Sequence, residues 1–170
     1  MKEIKVLINN SKLEKRITEM AKEIEKDYEG KEIVFVGILK GSVMFMTELA
    51  RNIKDSVELE FIDVSSYNGM ESTGEVKINK DIRNSIEGKD VIIVEDIVDT
   101  GRTLTFVLEH LKQKNPNSIK IATMLSKPSK RIKELDVNYI GYAIEDKFVV
   151  GYGLDYNEEY RNLPFIGYIE

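Results

Sequence analysis

Apolar and polar residues follow two periods along the chain, one typical of helices and one typical of strands. Near the start, apolar side chains recur at helical spacing at Leu13, Ile17, Met20, Ala21, Ile24 and Tyr28. Ser11 and Glu14 have the spacing of a capping box, so we expect Ser11 to cap this helix. Gly30 follows the last apolar position and is expected to end the segment.

Short β-branched runs predict strands at 32–39, 57–66, 91–94, 119–125, 137–144 and 149–152. Two segments, 43–53 and about 103–114, have the pattern of helices. The polar, glycine-containing segment 67–79 predicts a long mobile loop or a hairpin. Strands that alternate with helices indicate an α/β fold with a largely parallel sheet, in which ligands bind at the carboxyl ends of the strands.

The amino-acid composition limits which classes of protein and which cellular locations are compatible with the chain. The 170 residues are 42% hydrophobic and 32% charged, without repeats or linkers, which predicts one globular domain over residues 1–170. A net charge of −5 argues against nucleic-acid or membrane partners. The apolar runs are too short for a membrane span, and residues 1–5 lack the apolar core of a signal peptide, so we expect a cytoplasmic protein.

The chain has no cysteine and one histidine, which limits its chemistry. Disulfides, thiolate zinc sites and multi-histidine metal sites are excluded. Any bound metal is therefore expected to be a hard cation held by oxygen atoms. Acid–base catalysis would fall to carboxylates or to lysine.

Three acids, Glu95, Asp96 and Asp99, follow the apolar run 91–94 within five residues. Carboxylates this close repel one another unless a cation or a hydroxyl-rich ligand lies among them. Residues 100–103 (Thr-Gly-Arg-Thr) then supply small side chains and backbone N–H groups before a helix, which is typical of a phosphate site. Together they predict a sugar-phosphate site. The alternative is a strand end whose acids only favour the helix dipole.

Residues 91–103 resemble the signature of type I phosphoribosyltransferases that binds 5-phosphoribosyl-1-pyrophosphate (PRPP). The similarity continues along the chain. Leu39-Lys40-Gly41-Ser42 looks like the pyrophosphate loop of that family, and Ser66-Tyr67 opens a segment similar to its flexible lid. Residues 146–156 (DKFVVGYGLDY) are very like the C-terminal signature of the hypoxanthine–guanine branch, and Arg161 follows at the expected distance.

The resemblance implies a fold, a reaction and partners. The fold would be the type I phosphoribosyltransferase fold, a largely parallel sheet flanked by helices, with a small hood from the N- and C-terminal segments. The reaction would be Mg²⁺-dependent transfer of 5-phosphoribosyl from PRPP to N9 of hypoxanthine or guanine. Its products would be IMP or GMP and pyrophosphate, as in purine salvage. A homodimer or homotetramer would be expected.

The resemblance also implies roles for the residues around the sugar and its phosphates. Glu95 and Asp96 would receive the ribose hydroxyls, partly through Mg²⁺, and Asp99 would be the general base facing N7 of the purine. The 5′-phosphate would lie against Asp99, Thr100, Gly101, Arg102 and Thr103. Lys40, Gly41 and Arg161 would hold the pyrophosphate, with a cis peptide common at that loop, while Ser66 and Tyr67 would belong to the lid.

For the purine, the resemblance implies Lys127, Phe148, Val149 and Asp155, with Asp155 also beside a second Mg²⁺. Lysine has only donors, so Lys127 would favour the O6 acceptor of hypoxanthine or guanine over the amino group of adenine. Taken singly, each residue has an ordinary alternative. Phe148 could be a core residue, Lys127 a solvated lysine, and Arg161 the partner of a surface ion pair.

Other classes of function fit less well. An RNA-binding regulator on the same fold would need a basic face, which the net charge does not favour. A ligand-sensing repressor would need an added DNA-binding domain. A phosphoacceptor receiver needs acids after its first strand, and residues 5–10 have none. A P-loop kinase is excluded because the G-x-x-x-x-G-K-[ST] motif does not occur.

Overall fold

The computed structural model describes residues 3–66 and 75–169. Its strands are β1 Ile4–Ile8, β2 Ile33–Leu39, β3 Val57–Ser66, β4 Val76–Lys80, β5 Asp90–Val98, β6 Ser118–Ser126, β7 Tyr139–Ala143, β8 Val149–Val150 and β9 Ile166–Ile169. Its helices are α1 Asn10–Asp27, α2 Val43–Asn52 and α3 Arg102–Lys112, with a short 3₁₀ helix at Pro128–Lys130.

The main sheet has the strand order β4-β3-β2-β5-β6-β7. The pairs β3–β2, β2–β5, β5–β6 and β6–β7 are parallel, and β4 alone is antiparallel to its neighbour β3. The predicted α/β fold with a largely parallel sheet is confirmed. Because the five strands β3, β2, β5, β6 and β7 run the same way, their carboxyl ends and the loops that follow them meet at one edge.

A second, smaller sheet joins the two ends of the chain in the order β1-β9-β8. Its pairs are antiparallel, with Ile4 opposite Ile169 and Val149 opposite Tyr168. This sheet is the hood that the family resemblance implied. The segment between β8 and β9 leads from it to the carboxyl edge of the main sheet, where residues 153–161 contact the loop after β2.

Side chains that alternate along the buried strands supply a separate core on each face of the main sheet. Ile33 and Phe35 of β2 pack with α1 and α2, whereas Val34 and Val36 pack with α3. Burial on both faces explains why the sequence of β2 is an uninterrupted apolar run. The helices cover the sheet with their apolar faces, which in α1 are Leu13, Ile17, Met20, Ala21 and Ile24.

The N-cap of the first helix lies two residues before the predicted cap. Asn9 is the N-cap, and its side-chain oxygen accepts a hydrogen bond from Lys12 N at 2.9 Å. Ser11 lies inside α1, and Glu14 accepts a hydrogen bond from the Asn10 side chain at 2.9 Å. The predicted Ser11 cap is therefore wrong, because Asn9, an equally strong capping residue, stands where the chain leaves β1.

The limits of three predicted strands, β5, β7 and β8, are also wrong. Strand β7 spans Tyr139–Ala143 rather than 137–144. Strand β5 continues past Val94 to Val98, since Glu95 and Ile97 still pair with Thr123 and Leu125 of β6. Glu95 and Asp96 thus lie within the strand rather than after it, and Asp99 is the first residue that follows it. Strand β8 ends at Val150 because Gly151 and Tyr152 have positive φ values of 94° and 51°.

No helix within residues 3–66 and 75–169 combines the length and the apolar character that crossing a membrane would require.

Candidate active site

The candidate site lies at the carboxyl edge of the main sheet, between the end of β5 and the start of α3. A cavity of about 150 Å³ opens there. Its lining contains acids, small residues and backbone amides together, and consists of Glu95, Ile97, Val98, Asp99, Thr100, Gly101, Arg102, Thr103 and Leu104. A contiguous segment of sequence thus folds around one hollow at the strand ends, as the spacing predicted.

Glu95 and Asp96 place two carboxylates side by side near the end of β5. Glu95 is 9% exposed, and Asp96 is partly buried. Burial raises the pKa of the Glu95 carboxyl well above its usual range, and the adjacent charge of Asp96 raises it further. Burial also raises the pKa of Asp96, against backbone hydrogen bonds that favour its charged form. Both carboxylates would gain from a cation or from hydroxyl donors placed beside them.

The loop after β5 turns the backbone towards the cavity. Gly101 has φ of 84°, a left-handed conformation that few other residues adopt. It is the N-cap of α3 without a side-chain cap, while Thr105 donates to its carbonyl from N at 2.9 Å and from Oγ1 at 2.7 Å. The N–H groups of the first helical turn have no partner within the helix and carry the positive end of its dipole. These N–H groups are therefore suited to binding a phosphate by hydrogen bonds.

A segment that follows β6 supports this loop from outside. Ile132 N and Lys133 N donate to the Thr100 carbonyl at 3.0 and 3.2 Å. The Arg131 guanidinium donates to the Asp99 carbonyl at 3.3 Å and to Ser126 Oγ at 2.9 Å. Sequence reasoning missed Arg131. Its position after Lys127-Pro128 and among other basic residues carries no signal, because its role depends on contacts across about 30 positions of the chain.

Lys127 is a buried lysine at the end of β6, only 7% exposed. Its N–H donates to the Val98 carbonyl at 2.9 Å, which ties it to the strand that carries the acids. Its Nζ lies 3.3 Å from Asp146 Oδ1, and Lys130 lies 2.7 Å from the other oxygen of the same carboxylate. These ion pairs hold the pKa of Asp146 below its usual value. The alternative of a solvated lysine is therefore wrong.

Phe148 lies before β8 and is 52% exposed, so it is not a core residue. Its ring meets that of Tyr156 edge to face, with 5.6 Å between the centroids. The next residue, Val149, is buried in the hood sheet and pairs with Tyr168. Exposed aromatic surface beside a buried strand could support a flat ring.

The loop after β2 packs directly against the acids of β5. The peptide bond between Leu39 and Lys40 is cis, as the family resemblance implied. A side chain at Gly41 would overlap the Asp96 carboxylate, and one at Gly153 would overlap the Gly41 carbonyl. The β2 loop, Asp96 and the hood segment therefore meet within van der Waals distance. Glycine is required at Gly153, where the neighbour is backbone, whereas a side chain at Gly41 would have to displace the Asp96 carboxylate.

Arg161 is held within the hood segment by two carboxylates and a carbonyl, and one of these carboxylates also reaches the loop after β2. Its guanidinium donates to the Gly153 carbonyl at 2.7 Å and lies 3.1 Å from Asp155 Oδ1. It also lies 3.1 Å from Glu158 Oε1, and the second oxygen of Glu158 lies 2.7 Å from Lys40 Nζ. These contacts hold the pKa of Glu158 below its usual value, with the Lys40 hydrogen bond as the largest cause. Sequence reasoning noticed Glu158 only as a default surface partner of Arg161.

The structure brings most of the predicted residues to one edge. Contacts run from Asp96 through Gly41 and Gly153 to Arg161, and from there to Asp155 and, through Glu158, to Lys40. Ser66 ends β3 and is exposed, while Tyr67 and the segment 67–74 lie outside the described residues. In the described part of the chain, no three acidic or histidine side chains are grouped so as to hold a metal ion by themselves.

We expect Gly41→Ala to weaken binding of the predicted ligand, PRPP, because the new methyl group must displace the Asp96 carboxylate, a predicted ribose contact. Losing the hydrogen bonds of one charged group costs about 1.5–3 kcal/mol, which is a factor of about 10 to 150 in affinity. Binding of PRPP followed by isothermal titration calorimetry measures the effect. Gly30→Ala is the control, since nothing lies near Gly30 and only its φ of 70° opposes a side chain. Equal PRPP affinity in Gly41→Ala and wild type would contradict the packing described.

Comparisons with known proteins agree with this geometry. A family model described as "Phosphoribosyl transferase domain" matches residues 4–157. A hypoxanthine-guanine phosphoribosyltransferase of Staphylococcus aureus (strain Mu50) is 50% identical over 163 residues, covering 95% of this chain and 91% of that protein. The bifunctional protein TilS/HprT of Listeria monocytogenes serotype 4b is 47% identical over 167 residues, and this chain spans 26% of its length.

Among solved structures, a hypoxanthine-guanine phosphoribosyltransferase from Bacillus anthracis is similar over nearly the whole length. The TM-score is 0.94 at 48% sequence identity, with 99% of this chain and 100% of that chain covered. A similarity of this extent includes both the main sheet and the hood, so the two chains share one architecture.

Proposed function

The chain belongs to the phosphoribosyltransferase family, and from that premise we propose that it is a hypoxanthine–guanine phosphoribosyltransferase. It would transfer the 5-phosphoribosyl group of PRPP to N9 of hypoxanthine or guanine, giving IMP or GMP and releasing pyrophosphate. One observation carries the proposal: a buried and a partly buried acid, a phosphate-type helix start and a buried lysine lie together at adjacent strand ends. The names of the relatives support the same reaction.

The sugar phosphate would occupy the cavity after β5. Carboxylates accept hydrogen bonds and cannot donate them, so Glu95 and Asp96 suit the ribose 2′- and 3′-hydroxyls. The 5′-phosphate would take the amides of residues 99–103, with the hydroxyls of Thr100 and Thr103 and the left-handed turn at Gly101. Arg102 is exposed, and only its backbone is needed.

Pyrophosphate would be held by Lys40, the Gly41 backbone and Arg161. Bond breaking at the anomeric carbon leaves positive charge on the ribose and negative charge on the departing pyrophosphate. Lys40 and Arg161 would stabilise the leaving group electrostatically, and the guanidinium fork of Arg161 suits its paired oxygens. The charged side chains of Lys40 and Arg161 already lie at this edge, each paired with a carboxylate.

The purine would lie between the hood and the end of β6. The ammonium of Lys127 would donate to O6, the exposed ring of Phe148 would cover one face of the base, and the Val149 backbone would read its edge. Asp155 would lie near the same edge of the base. Asp99 is exposed at the mouth of the cavity, and its carboxylate would accept the proton from N7 as N9 forms its new bond.

The donor set at this edge fits Mg²⁺ that arrives with the diphosphate of PRPP. Glu95, Asp96 and Asp155 are hard oxygen donors, and the buried acids of β5 need compensating positive charge. When bound, Mg²⁺ would neutralise part of the charge on the leaving pyrophosphate. Because Mg²⁺ commonly takes one or two carboxylates together with substrate phosphates, a complete cage of protein ligands is not required.

The remaining expectations are proposals of the same kind. The segment that begins at Ser66 and Tyr67 would close over the site and exclude water, which would otherwise hydrolyse PRPP.

We propose a cytoplasmic homodimer or homotetramer whose partners are small molecules rather than nucleic acid or membrane. The net charge of −5 supports this against the RNA-binding alternative.

The experiment that tests the proposal measures the stoichiometry of products. Incubation with PRPP, Mg²⁺ and hypoxanthine should give equal amounts of IMP and pyrophosphate. Chromatography measures the IMP, and a coupled enzyme assay measures the pyrophosphate. Ribose 5-phosphate with pyrophosphate and no IMP would indicate a hydrolase. No turnover, with retention of RNA on a filter, would favour the regulatory alternative.

We expect turnover to require Mg²⁺ while folding does not. Excess chelator should abolish IMP formation, and added Mg²⁺ should restore it, because the metal is expected with the substrate and not as part of the fold. Unfolding followed by circular dichroism, in the same chelator and without substrate, should leave the unfolding midpoint unchanged. Full activity in excess chelator would contradict the prediction.

A further inference from the structure

One carboxylate, that of Glu158, bridges the two cations to which the proposed function assigns the pyrophosphate. Its Oε2 lies 2.7 Å from Lys40 Nζ, and its Oε1 lies 3.1 Å from Arg161 NH2. Lys40 belongs to the loop after β2 and Arg161 to the hood segment, so the contact joins two separate parts of the chain. An anion with two oxygens thus occupies the positions between the cations.

The backbone around Glu158 holds this carboxylate in place. Asn157, Glu158 and Tyr160 have φ values of 51°, 66° and 75°, a left-handed conformation that costs free energy in residues other than glycine. The turn is closed by paired hydrogen bonds between Tyr156 and Glu159 at 3.1 and 3.0 Å. Glu158 N also donates to Asp155 Oδ2 at 2.9 Å. An unfavourable backbone that is held by several bonds indicates a functional constraint.

The contact itself is exchangeable. The side chains of Glu158 and Lys40 are 63% and 65% exposed, and exposed ion pairs contribute little to stability. Pyrophosphate carries more negative charge than one carboxylate and offers several oxygens, so it would replace Glu158 on the same cations.

We infer that the Glu158 carboxylate competes with the pyrophosphate group for the same two cations. It binds Lys40 and Arg161 in the free protein, is displaced when PRPP binds, and binds them again when pyrophosphate leaves. The inference rests on the proposed function and deepens it, because it names the residue that sets affinity for the leaving group. It touches neither the ribose nor the purine in the proposed arrangement, so it is a positioning residue.

The test compares Glu158→Gln with Glu159→Gln in the full chain. Both substitutions remove one negative charge from the same turn, but the Glu159 side chain makes no ion pair in the described part of the chain. Magnesium pyrophosphate is titrated into each protein and followed by isothermal titration calorimetry. We expect Glu158→Gln to bind it about 3- to 10-fold more tightly than wild type, the range set by losing exposed ion pairs. Glu159→Gln should stay within about twofold.

A second variant separates contact from charge. Glu158→Asp keeps the charge but withdraws the carboxylate by one methylene, so it too should bind magnesium pyrophosphate more tightly than wild type. Unfolding midpoints of all three variants should match wild type, since the side chain is exposed. Affinities equal to or weaker than wild type in both Glu158 variants would overturn the inference and leave the proposed function intact. A wild-type protein without affinity for magnesium pyrophosphate would overturn both.

Discussion

Replacing Asp99 by asparagine is expected to lower kcat by about 10²- to 10⁴-fold, the usual contribution of a positioned base. Asparagine keeps the size of the side chain but cannot accept a proton from N7. The loop itself should remain, because Arg131, Ile132 and Lys133 hold its carbonyls and not the Asp99 carboxylate. The KM for PRPP should therefore change only modestly. Steady-state kinetics with saturating hypoxanthine measures both constants.

Glu95→Gln and Asp96→Asn are the comparison for Asp99→Asn. Both residues lie in the same strand and loop segment but are proposed to bind ribose and Mg²⁺, so they should raise the apparent KM for PRPP or Mg²⁺. A kcat near wild type in Asp99→Asn would mean that another group or a water molecule takes the proton. The same loss of kcat in all three variants would mean that the segment acts only as a unit.

Lys127→Ala is expected to lower kcat/KM for hypoxanthine and guanine by about 10- to 100-fold, the cost of losing a charged hydrogen bond to O6. The loss follows from burial, because at 7% exposure the ammonium cannot be replaced freely by solvent. Adenine offers a donor in place of O6 and should already be a poor substrate. Its kcat/KM should change little in the variant.

Lys130→Ala is the matched control for Lys127→Ala. Both lysines pair with Asp146, but Lys130 is exposed and lies on the 3₁₀ turn rather than at the end of β6. Loss of the Lys130 charge should leave oxopurine kinetics within about twofold of wild type, as for other exposed ion pairs. Equal losses in the two variants would assign the effect to the ion-pair cluster rather than to contact with the base.

Local patterns predicted most of the fold because each element repeats one signal along its length. Strand β3 agrees with the prediction at both ends, and β2 differs by one residue. The predicted limits of helices and strands were wrong where two local signals compete, or where pairing with a neighbouring strand decides how long a strand is. Asn9 and Ser11 are both good caps, and only the exit from β1 selects Asn9. The last four residues of β5 are in a strand because β6 extends beside them.

The site was predictable where its residues are consecutive or belong to a family signature. Glu95 and residues 97–104 line one cavity, so residues that are close in sequence are also close in the folded site. Arg131 and Glu158 were missed as site residues because nothing nearby in sequence marks them. Arg131 acts on the Asp99 carbonyl across the site, and Glu158 acts on Lys40, which is 118 positions away. Only the three-dimensional arrangement gives an ordinary surface charge such a role.

The central claim, transfer of phosphoribosyl to a 6-oxopurine, is tested most directly by a spectrophotometric comparison of three bases with PRPP and Mg²⁺. The site predicts nucleotide formation from hypoxanthine and guanine, with kcat/KM about 10⁴-fold higher than for adenine, because adenine presents an amino donor to the buried Lys127 ammonium in place of the O6 acceptor. Efficient conversion of adenine to its nucleotide, with hypoxanthine and guanine left unreacted, would contradict the account and assign the chain to another phosphoribosyltransferase activity.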